Sequence, residues 1–428
     1  MIRRSAALFL LALAACSKSN SNGGTGPGPT GSLDVTIVAP AGVSGKVNIT
    51  TPGESLITIT SSQTINGLVP GDYIVRASAG VTADPIVSTA YTGAVTGSPA
   101  TITAGQTANA TVTYSAPRAS SGLLWVANQS GGTIAGFSAA NLSASGSPTP
   151  AVLIGNGTGS SVVSGATSIA VDSSGGIWWV DNSDTAYYYA ASAITSNTNA
   201  AATRKLIDTS ASSWVATALD PSGDLWTVDQ RGNVKKFTPT QLAAGGHQTP
   251  AVVLRSIIGS LTRPWQAAFD AKGNLWVVSY GDSSIVAFSP AQQQVSGQPV
   301  PFAGISGSKG ITSALGIAFD AQGDLWVATL TDTISKFTPD QLTSLGSPTP
   351  SVILKMPTLT TPIGIGFDNS GSLWVAGYET SKLLKFTSNQ LTTSGTPTPA
   401  VTITANGPSL ALPAGIAFSP PAGNLPVP

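Results

Sequence analysis

The chain has 428 residues, with 19 basic and 19 acidic side chains, so its formal net charge is zero at pH 7. Charged residues make up 9% of the chain, against roughly 25% in a typical globular protein, and the sequence contains no basic stripe for nucleic acid. A single cysteine excludes a disulfide framework, and the length favours two folded domains.

The first residues predict export. Met1 to Arg4 form a short basic start, and an apolar run from Ala6 to Ala15 follows, which is the pattern of a secretory signal over residues 1–15. That run is shorter than the roughly 20 residues that cross a bilayer. The alternative is an ordinary signal peptide that ends near a cysteine by chance.

The residues before the cysteine carry a resemblance. Leu13-Ala14-Ala15-Cys16 resembles the lipobox of bacterial lipoproteins. The resemblance implies that Cys16 is lipidated and that the protein contacts the membrane of the cell envelope through this anchor only. Because Ser17 follows, it implies outer-membrane sorting in a Gram-negative host. Residues 16–32 are rich in Gly, Ser and Pro and predict a flexible tether.

Residues 33–115 predict a β-sandwich of the Ig-like kind. Short β-rich runs alternate with turn signals such as Pro52-Gly53 and Pro70-Gly71. The segment from Leu68 to Val75 resembles a strand of carboxypeptidase-regulatory-like surface domains, which implies a spacer or adhesion role. The predicted strands are Leu33–Val38, Lys46–Thr51, Leu56–Thr60, Asp72–Ser78 and Ala108–Tyr114. Residues 116–122 are predicted to be the linker.

Internal repeats dominate residues 123–419. The phrase Asp-x-x-Gly-x-Leu-Trp recurs with a Trp six residues after each Asp, and the repeated Trp residues are 48 to 53 positions apart. A period of this size with four short strands in each repeat predicts an all-β, six-bladed β-propeller. The repeated tryptophans are Trp125, Trp178, Trp226, Trp276, Trp326 and Trp374, and the repeated aspartates are Asp172, Asp220, Asp270, Asp320 and Asp368.

Each predicted blade contains strands a to d. The a–b link is a hairpin turn in which Asp bonds turn amides and Gly takes a positive φ. The c–d link contains one helical turn, such as Thr338-Pro339-Asp340-Gln341-Leu342. The first repeat lacks strand a, and the chain ends on an unpaired strand a at Ala414–Phe418. We therefore expect these ends to pair and close the ring, and residues 420–428 to be a tail. The repeated Trp and Asp residues are interpreted as core and turn residues.

The repeated phrase Gly-Ile-Ala-Phe-Asp-x-x-Gly-x-Leu-Trp-Val-Ala resembles the NHL-type propellers and the related virginiamycin B lyase and gluconolactonase groups. The lyase resemblance implies two His and a Glu, whereas this chain has one histidine, His247. The gluconolactonase resemblance implies a divalent metal held by Glu, Asn and Asp, whereas the only glutamates are Glu54 and Glu379. The sequence also predicts no Ser-His-Asp site, no zinc cluster and no nucleotide site.

Any functional site is expected on the face formed by the b–c and d–a loops. Strand b ends in Asn128, Asp181 and Asp229 in three blades, and these side chains are expected either to converge on Ca²⁺ or Mg²⁺ or simply to cap their loops. The other candidates on this face are Arg263, Trp265, Tyr280, Asp282, Asp332, Tyr378 and Glu379.

Three functional hypotheses follow. The first is a non-catalytic, surface-anchored binding scaffold, monomeric, whose loop face binds a protein, a glycan or a small molecule. The second is a metal-dependent lactonase or lyase with a reduced site around Asn128, Asp181, Asp229 and Glu379. The third is a subunit of a larger envelope assembly.

Overall fold

A computed structural model describes residues 29–39, 43–53, 55–77, 80–82, 90–115, 122–155, 163–210, 213–255, 261–356 and 361–419. The predicted signal peptide, Cys16, most of the tether, residues 116–121 of the linker, Glu54 and the tail lie outside these ranges. None of the described helices is long and apolar enough to cross a membrane.

The repeats form six sheets, each built on four antiparallel strands, and two of these sheets carry a fifth strand, so the predicted six-bladed propeller is confirmed. In each blade the strands follow one another from a to d, except that blade 1 takes its strand a from the end of the chain. Blade 1 contains β11 (Leu123–Asn128), β12 (Thr133–Ser138), β13 (Val152–Ile154) and β36 (Pro413–Ser419); blade 2 contains β14 (Ser168–Val171), β15 (Ile177–Val180), β16 (Thr185–Tyr189) and β17 (Arg204–Asp208); blade 3 contains β18 (Trp214–Leu219), β19 (Leu225–Asp229), β20 (Val234–Phe237) and β22 (Val252–Leu254); blade 4 contains β23 (Pro264–Phe269), β24 (Leu275–Ser279), β25 (Ser284–Phe288) and β26 (Ala303–Ser306); blade 5 contains β27 (Ala314–Phe319), β28 (Leu325–Thr329), β29 (Thr333–Phe337) and β31 (Val352–Lys355); blade 6 contains β32 (Pro362–Phe367), β33 (Leu373–Gly377), β34 (Lys382–Phe386) and β35 (Val401–Thr404).

The ring closes as the sequence predicts. Strand β36 pairs antiparallel with β11, and the register sets Trp125 opposite Ala417. The last of the described strands therefore becomes the innermost strand of the first blade. This pairing covers the edge of β11, which would otherwise be open to association with another chain.

In four of the six blades the a–b turn joins its Asp to the Trp of the next strand. In blade 5, Oδ1 of Asp320 accepts from the backbone N–H of Gln322 and of Asp324, both at 3.0 Å, and Oδ2 accepts from Nε1 of Trp326 at 2.8 Å. The same Trp–Asp bond occurs in blades 3, 4 and 6. The repeated tryptophans are at most 2% exposed, so the core interpretation is confirmed.

The c–d links contain the predicted helical turns. In blade 3 the link forms the only α-helix of the described residues, α1 (Pro239–Ala244), and in blades 5 and 6 it forms 3₁₀ turns, each with a capping box in which Gln at the third position bonds the Thr at the cap. The amide of the same Gln also donates to a carbonyl further along the link, as from Gln341 to Thr349 at 2.7 Å. The described 3₁₀ turns are Ala191–Ala193, Gln292–Gln294, Lys309–Ile311, Pro339–Leu342, Ser388–Leu391 and Gly407–Ser409.

After the helical turn, each c–d link runs parallel to a neighbouring strand, as a short fifth strand in two links and as a single bridge in the other four. The sequence did not predict this pairing. This segment pairs with strand d of the preceding blade: β21 (Gly246–Gln248) pairs with β17, and β30 (Leu345–Gly346) pairs with β26. The other four blades carry single bridges at Gly146, Thr198, Gly297 and Gly395. The outer edge of every blade is thus covered by its neighbour, which blunts six exposed strand edges.

The N-terminal residues form two sheets around one hydrophobic cluster. The five predicted strands are present. The structure adds five more short strands, which were not predicted because their sequence is polar and rich in Gly. One sheet contains β1 (Gly31–Val38), β2 (Val43–Ser44), β5 (Gln63–Leu68), β7 (Gly80–Thr82), β8 (Ala90–Thr96) and β10 (Thr107–Ser115); the other contains β3 (Val47–Thr50), β4 (Leu56–Ile59), β6 (Gly71–Ala77) and β9 (Ala100–Ile102). These ten strands are called the N-terminal module below.

Candidate functional site

The loop face of the propeller is shaped by β-bulges at the start of strand a. In blades 4, 5 and 6 a register shift between strands a and b leaves one extra residue in strand a, at Trp265, Leu315 and Ile363. The residue before strand a takes a left-handed conformation in the same blades, with φ of 53° at Arg263, 55° at Ser313 and 56° at Thr361. A bulge re-aims a side chain, and here it places an apolar side chain at the channel mouth.

A second set of side chains follows strand b. The first residue after this strand lies at the mouth, and in blades 4, 5 and 6 it is Tyr280, Leu330 or Tyr378. The same position holds Gln129 in blade 1 and Gln230 in blade 3. Blades 4 to 6 therefore present aromatic and aliphatic groups, whereas blades 1 and 3 present carboxamides.

These two sets enclose a cleft of about 220 Å³ across blades 4, 5, 6 and 1. The cleft is below the roughly 300–1,000 Å³ that is usual for drug-sized ligands. It is lined by Gln129, Arg263, Trp265, Tyr280, Leu315, Leu330, Thr361, Ile363, Tyr378 and Glu379. We call it the mouth cleft.

One wall of the mouth cleft is an aromatic and cationic stack. The guanidinium carbon of Arg263 lies 5.5 Å from the ring centre of Tyr280, within cation–π range. The rings of Trp265 and Tyr280 are 6.5 Å apart and tilted by 51°. Because Arg263 is exposed and both rings are half-buried, this wall offers ring faces and N–H donors to a ligand.

The opposite wall carries the polar groups of blades 6 and 1. The hydroxyl of Tyr378 in blade 6 donates to Oε1 of Gln129 in blade 1. Burial, and secondarily the charge of Glu379, raises the pKa of Tyr378, so its hydroxyl stays protonated at neutral pH. The carboxylate of Glu379 is exposed at the rim.

The structure therefore brings together Arg263, Trp265, Tyr280, Tyr378 and Glu379 from the predicted set. It does not bring Asn128, Asp181 and Asp229 into the mouth cleft. Asn128 bonds to the loop that precedes β36, whereas Asp181 bonds within its own loop. Asn128 is fully buried, and its amide donates to Ser409 O while its carbonyl accepts from Ala411 N. Oδ1 of Asp181 accepts from the backbone and the hydroxyl of Ser183.

Asp229 belongs to a buried charge cluster between blades 2 and 3. Its Oδ2 lies 3.3 Å from Nζ of Lys235, and that ammonium is 2.6 Å from Oδ2 of Asp208. The ammonium thus supplies, between two carboxylates, the positive charge that a bound cation would bring. Among the described residues, no group of three or more His, Cys, Asp or Glu side chains is arranged to hold a metal ion.

The remaining predicted residues have loop roles or lie elsewhere. Asp282 accepts from the hydroxyl of Ser284, and Asp332 accepts from the backbone N–H of Thr361. His247 lies in β21 on the outer edge of the ring, paired in register with Ile207.

Sequence reasoning missed Gln129, Leu315, Leu330, Thr361 and Ile363. Side chains alternate along a strand, so the last residue of strand b turns under its loop and the next one faces the mouth. Counting one position further in each repeat would have found Gln129 and Leu330. Leu315 and Ile363 face the mouth because of the bulges, which have no clear sequence signal.

Comparisons with known proteins bear on the fold only. No protein-family description and no curated protein matches the sequence. Among solved structures, a streptogramin B lyase is 13% identical over 72% of this chain and 89% of its own, with a TM-score of 0.46. Virginiamycin B lyase from Staphylococcus aureus is 14% identical over 59% and 76%, with a TM-score of 0.41. A Bacteroides caccae protein of unknown function is 12% identical over 70% and 99%, with a TM-score of 0.49.

Proposed function

We propose that this protein is a non-catalytic binding protein of the cell envelope and that the mouth cleft binds its ligand. The observation that carries the proposal is the convergence of Arg263, Trp265, Tyr280, Tyr378 and Glu379, from two blades, around one open cleft. Lipidation of Cys16 would supply the anchor, and the N-terminal module, as an Ig-like spacer, would supply the reach.

The chemistry of the cleft favours a neutral oligosaccharide. Arg263 and Glu379 bring opposite charges, so the cleft selects neither anions nor cations by net charge. Half-buried rings of Trp265 and Tyr280 offer flat apolar faces whose edges remain wet. A sugar ring matches this arrangement, because it has an apolar C–H face for stacking and a rim of hydroxyls for amide, guanidinium and carboxylate partners.

Trp265 provides a selective probe of the cleft. All nine tryptophans lie in the described ranges; eight are at most 2% exposed, and only Trp265 is half-buried. Collisional quenching by acrylamide should therefore act mainly on Trp265, and Trp265→Phe should remove most of the quenchable emission.

The test is a titration of the full mature chain with neutral hexasaccharides of glucose, xylose and N-acetylglucosamine, followed by the emission and the acrylamide quenching of Trp265. We expect a saturable shift and protection from quenching with at least one sugar. Leu330→Ala, which removes an exposed leucine in the cleft, should weaken binding, whereas Leu345→Ala, an equally exposed leucine on the outer edge, should not.

Neutral hexapeptides serve as the competing ligand class. Protection of Trp265 by peptides but not by sugars would overturn the assignment to oligosaccharides and retain the mouth cleft as a binding site. Binding of a sugar with equal affinity to Trp265→Phe and Leu330→Ala, measured by calorimetry, would place the site elsewhere and contradict the proposal.

A further inference from the structure

A buried arginine of the N-terminal module contacts the propeller. Arg76 lies in β6 and is 7% exposed. Its Nη1 donates to Oγ1 of Thr50 in the same module at 3.3 Å and to the backbone oxygen of Lys272 in blade 4 at 3.0 Å. An ionised side chain is seldom buried without partners. This contact therefore identifies a specific position on the propeller for the N-terminal module, and we call the surface around Arg76 the seat.

The seat is formed by the a–b turns of blades 3 and 4. The carboxylates of Asp220 and Asp270, one from each turn, favour the charged form of Arg76, whereas burial, the larger effect, lowers its pKa. The guanidinium rests on Gly273, because a Cβ at that position would lie 2.4 Å from Nη2. Shape and charge therefore both fit an arginine at this place.

This seat lies at the far end of blade 4 from the mouth cleft. Strands β23 and β24 form one hairpin, with Lys272 in the turn at one end and Arg263 and Tyr280 beside the other end. A strand of six residues spans about 20 Å. Strand b of blade 1, where the propeller begins, also starts on the turn face, so the chain enters the ring on the same side as the module.

We propose that the a–b turn face of blades 3 and 4 is the docking surface of the N-terminal module and that Arg76 holds the two as one rigid unit. The alternative is two independent modules on a loose linker. In the rigid unit the mouth cleft faces away from the module and from the chain end that carries the tether.

The propeller repeats supply a matched test. Gly273 and Gly323 occupy the same turn position, with φ of 79° and 82°, so alanine at either imposes the same backbone strain. Only the methyl of Gly273→Ala would meet Arg76, since a Cβ at Gly323 touches nothing closer than Pro339 at 3.6 Å. The excess effect of Gly273→Ala over Gly323→Ala therefore isolates the docking contact.

The variants are made in the full mature chain, with Arg76 and with Arg76→Ala, and are followed by calorimetry and small-angle X-ray scattering. We expect a single unfolding transition in the parent protein. Gly273→Ala should separate a lower unfolding transition of the module from that of the propeller more than Gly323→Ala does, and it should increase the maximum dimension. In the Arg76→Ala background the two glycine variants should become equal.

A second pair avoids any change in the module. Asp270→Asn and Asp320→Asn remove turn carboxylates that bond the same Trp and backbone amide positions. Asp270 also accepts from Nδ2 of Asn274 at 2.7 Å, a bond that an asparagine oxygen can still accept, and of the two carboxylates only Asp270 acts on Arg76. Asp270→Asn should loosen the module more than Asp320→Asn. Equal effects in both pairs, or a parent protein whose scattering requires freely moving modules, would overturn the proposal.

Discussion

Nε1 of Trp326 donates a 2.8 Å hydrogen bond to Oδ2 of Asp320, six residues earlier in the chain. The same spacing produces the same bond in three other blades. Blade 1 has no equivalent, because its strand a comes from the end of the chain and carries Ser419 where the repeats have Asp. Nε1 of Trp125 is accordingly buried without a partner.

Ser419→Asn should stabilise the closure of the ring, because the amide oxygen can accept from Trp125 without burying a charge. A net gain of about 1 kcal/mol is expected for one new buried hydrogen bond. Urea denaturation of the variant measures it, with Ser419→Ala as the control that should give no gain. A variant no more stable than the parent would show that the asparagine side chain does not reach Nε1.

Asp224 makes the stability of blade 3 depend on pH. Burial, followed by the neighbouring charge of Asp220, raises the pKa of Asp224 to about 6, against about 3.9 for an unperturbed Asp. The folded state then binds the proton more tightly than the unfolded chain. The resulting stabilisation is complete below pH 4 and is lost as the pH rises through 6.

Asp224→Asn should therefore gain in melting temperature relative to the parent protein as the pH is raised from 4 to 7. Calorimetry at pH 4, 5, 6 and 7 measures the difference, and Asp324→Asn, at the same position of blade 5, controls for the amide substitution. A difference between Asp224→Asn and the parent that stays constant with pH would contradict the raised pKa.

The ammonium of Lys235 pairs with both Asp208 and Asp229, and all three side chains are at most 4% exposed. Lys235→Met leaves these two carboxylates buried without that ammonium, so a loss of about 3–5 kcal/mol is expected. Urea denaturation measures it. Lys336→Met removes a lysine that pairs with one carboxylate, that of Asp324, in a more exposed place, and should cost less than Lys235→Met. Equal losses would rule out the buried-cluster account.

A local prediction concerns the segment of the blade 6 c–d link that covers the outer edge of blade 5. Oγ of Ser394 accepts from the backbone N–H of Ile353, and the backbone oxygen of Gly395 accepts from Lys355 N. Ser394→Ala should speed hydrogen exchange at Ile353 while leaving Lys355 protected, because only the first bond is lost. Hydrogen-exchange NMR reports both amides. Faster exchange at both would mean that the whole segment detaches from the edge of blade 5.

The sequence alone determines the blades, their number and the closure of the ring, because these follow from local periodicity and from turn chemistry repeated at a fixed spacing. It also identifies the repeated tryptophans as core and the repeated aspartates as turn residues, since the fixed spacing places them at the same positions of the a–b hairpin in successive repeats. Arg263, Trp265, Tyr280, Tyr378 and Glu379 were found because loop position follows from the strand order.

Tertiary structure decided which polar residues reach the surface of the mouth. A one-residue bulge, or one step past the end of strand b, reverses the direction of a side chain, so Asn128 is buried under its loop while Gln129 faces the cleft. The parallel fifth strands and the seat of Arg76 join residues from different repeats or from different modules. Such contacts depend on how folded units pack together, and the spacing of residues along the chain carries no record of that packing.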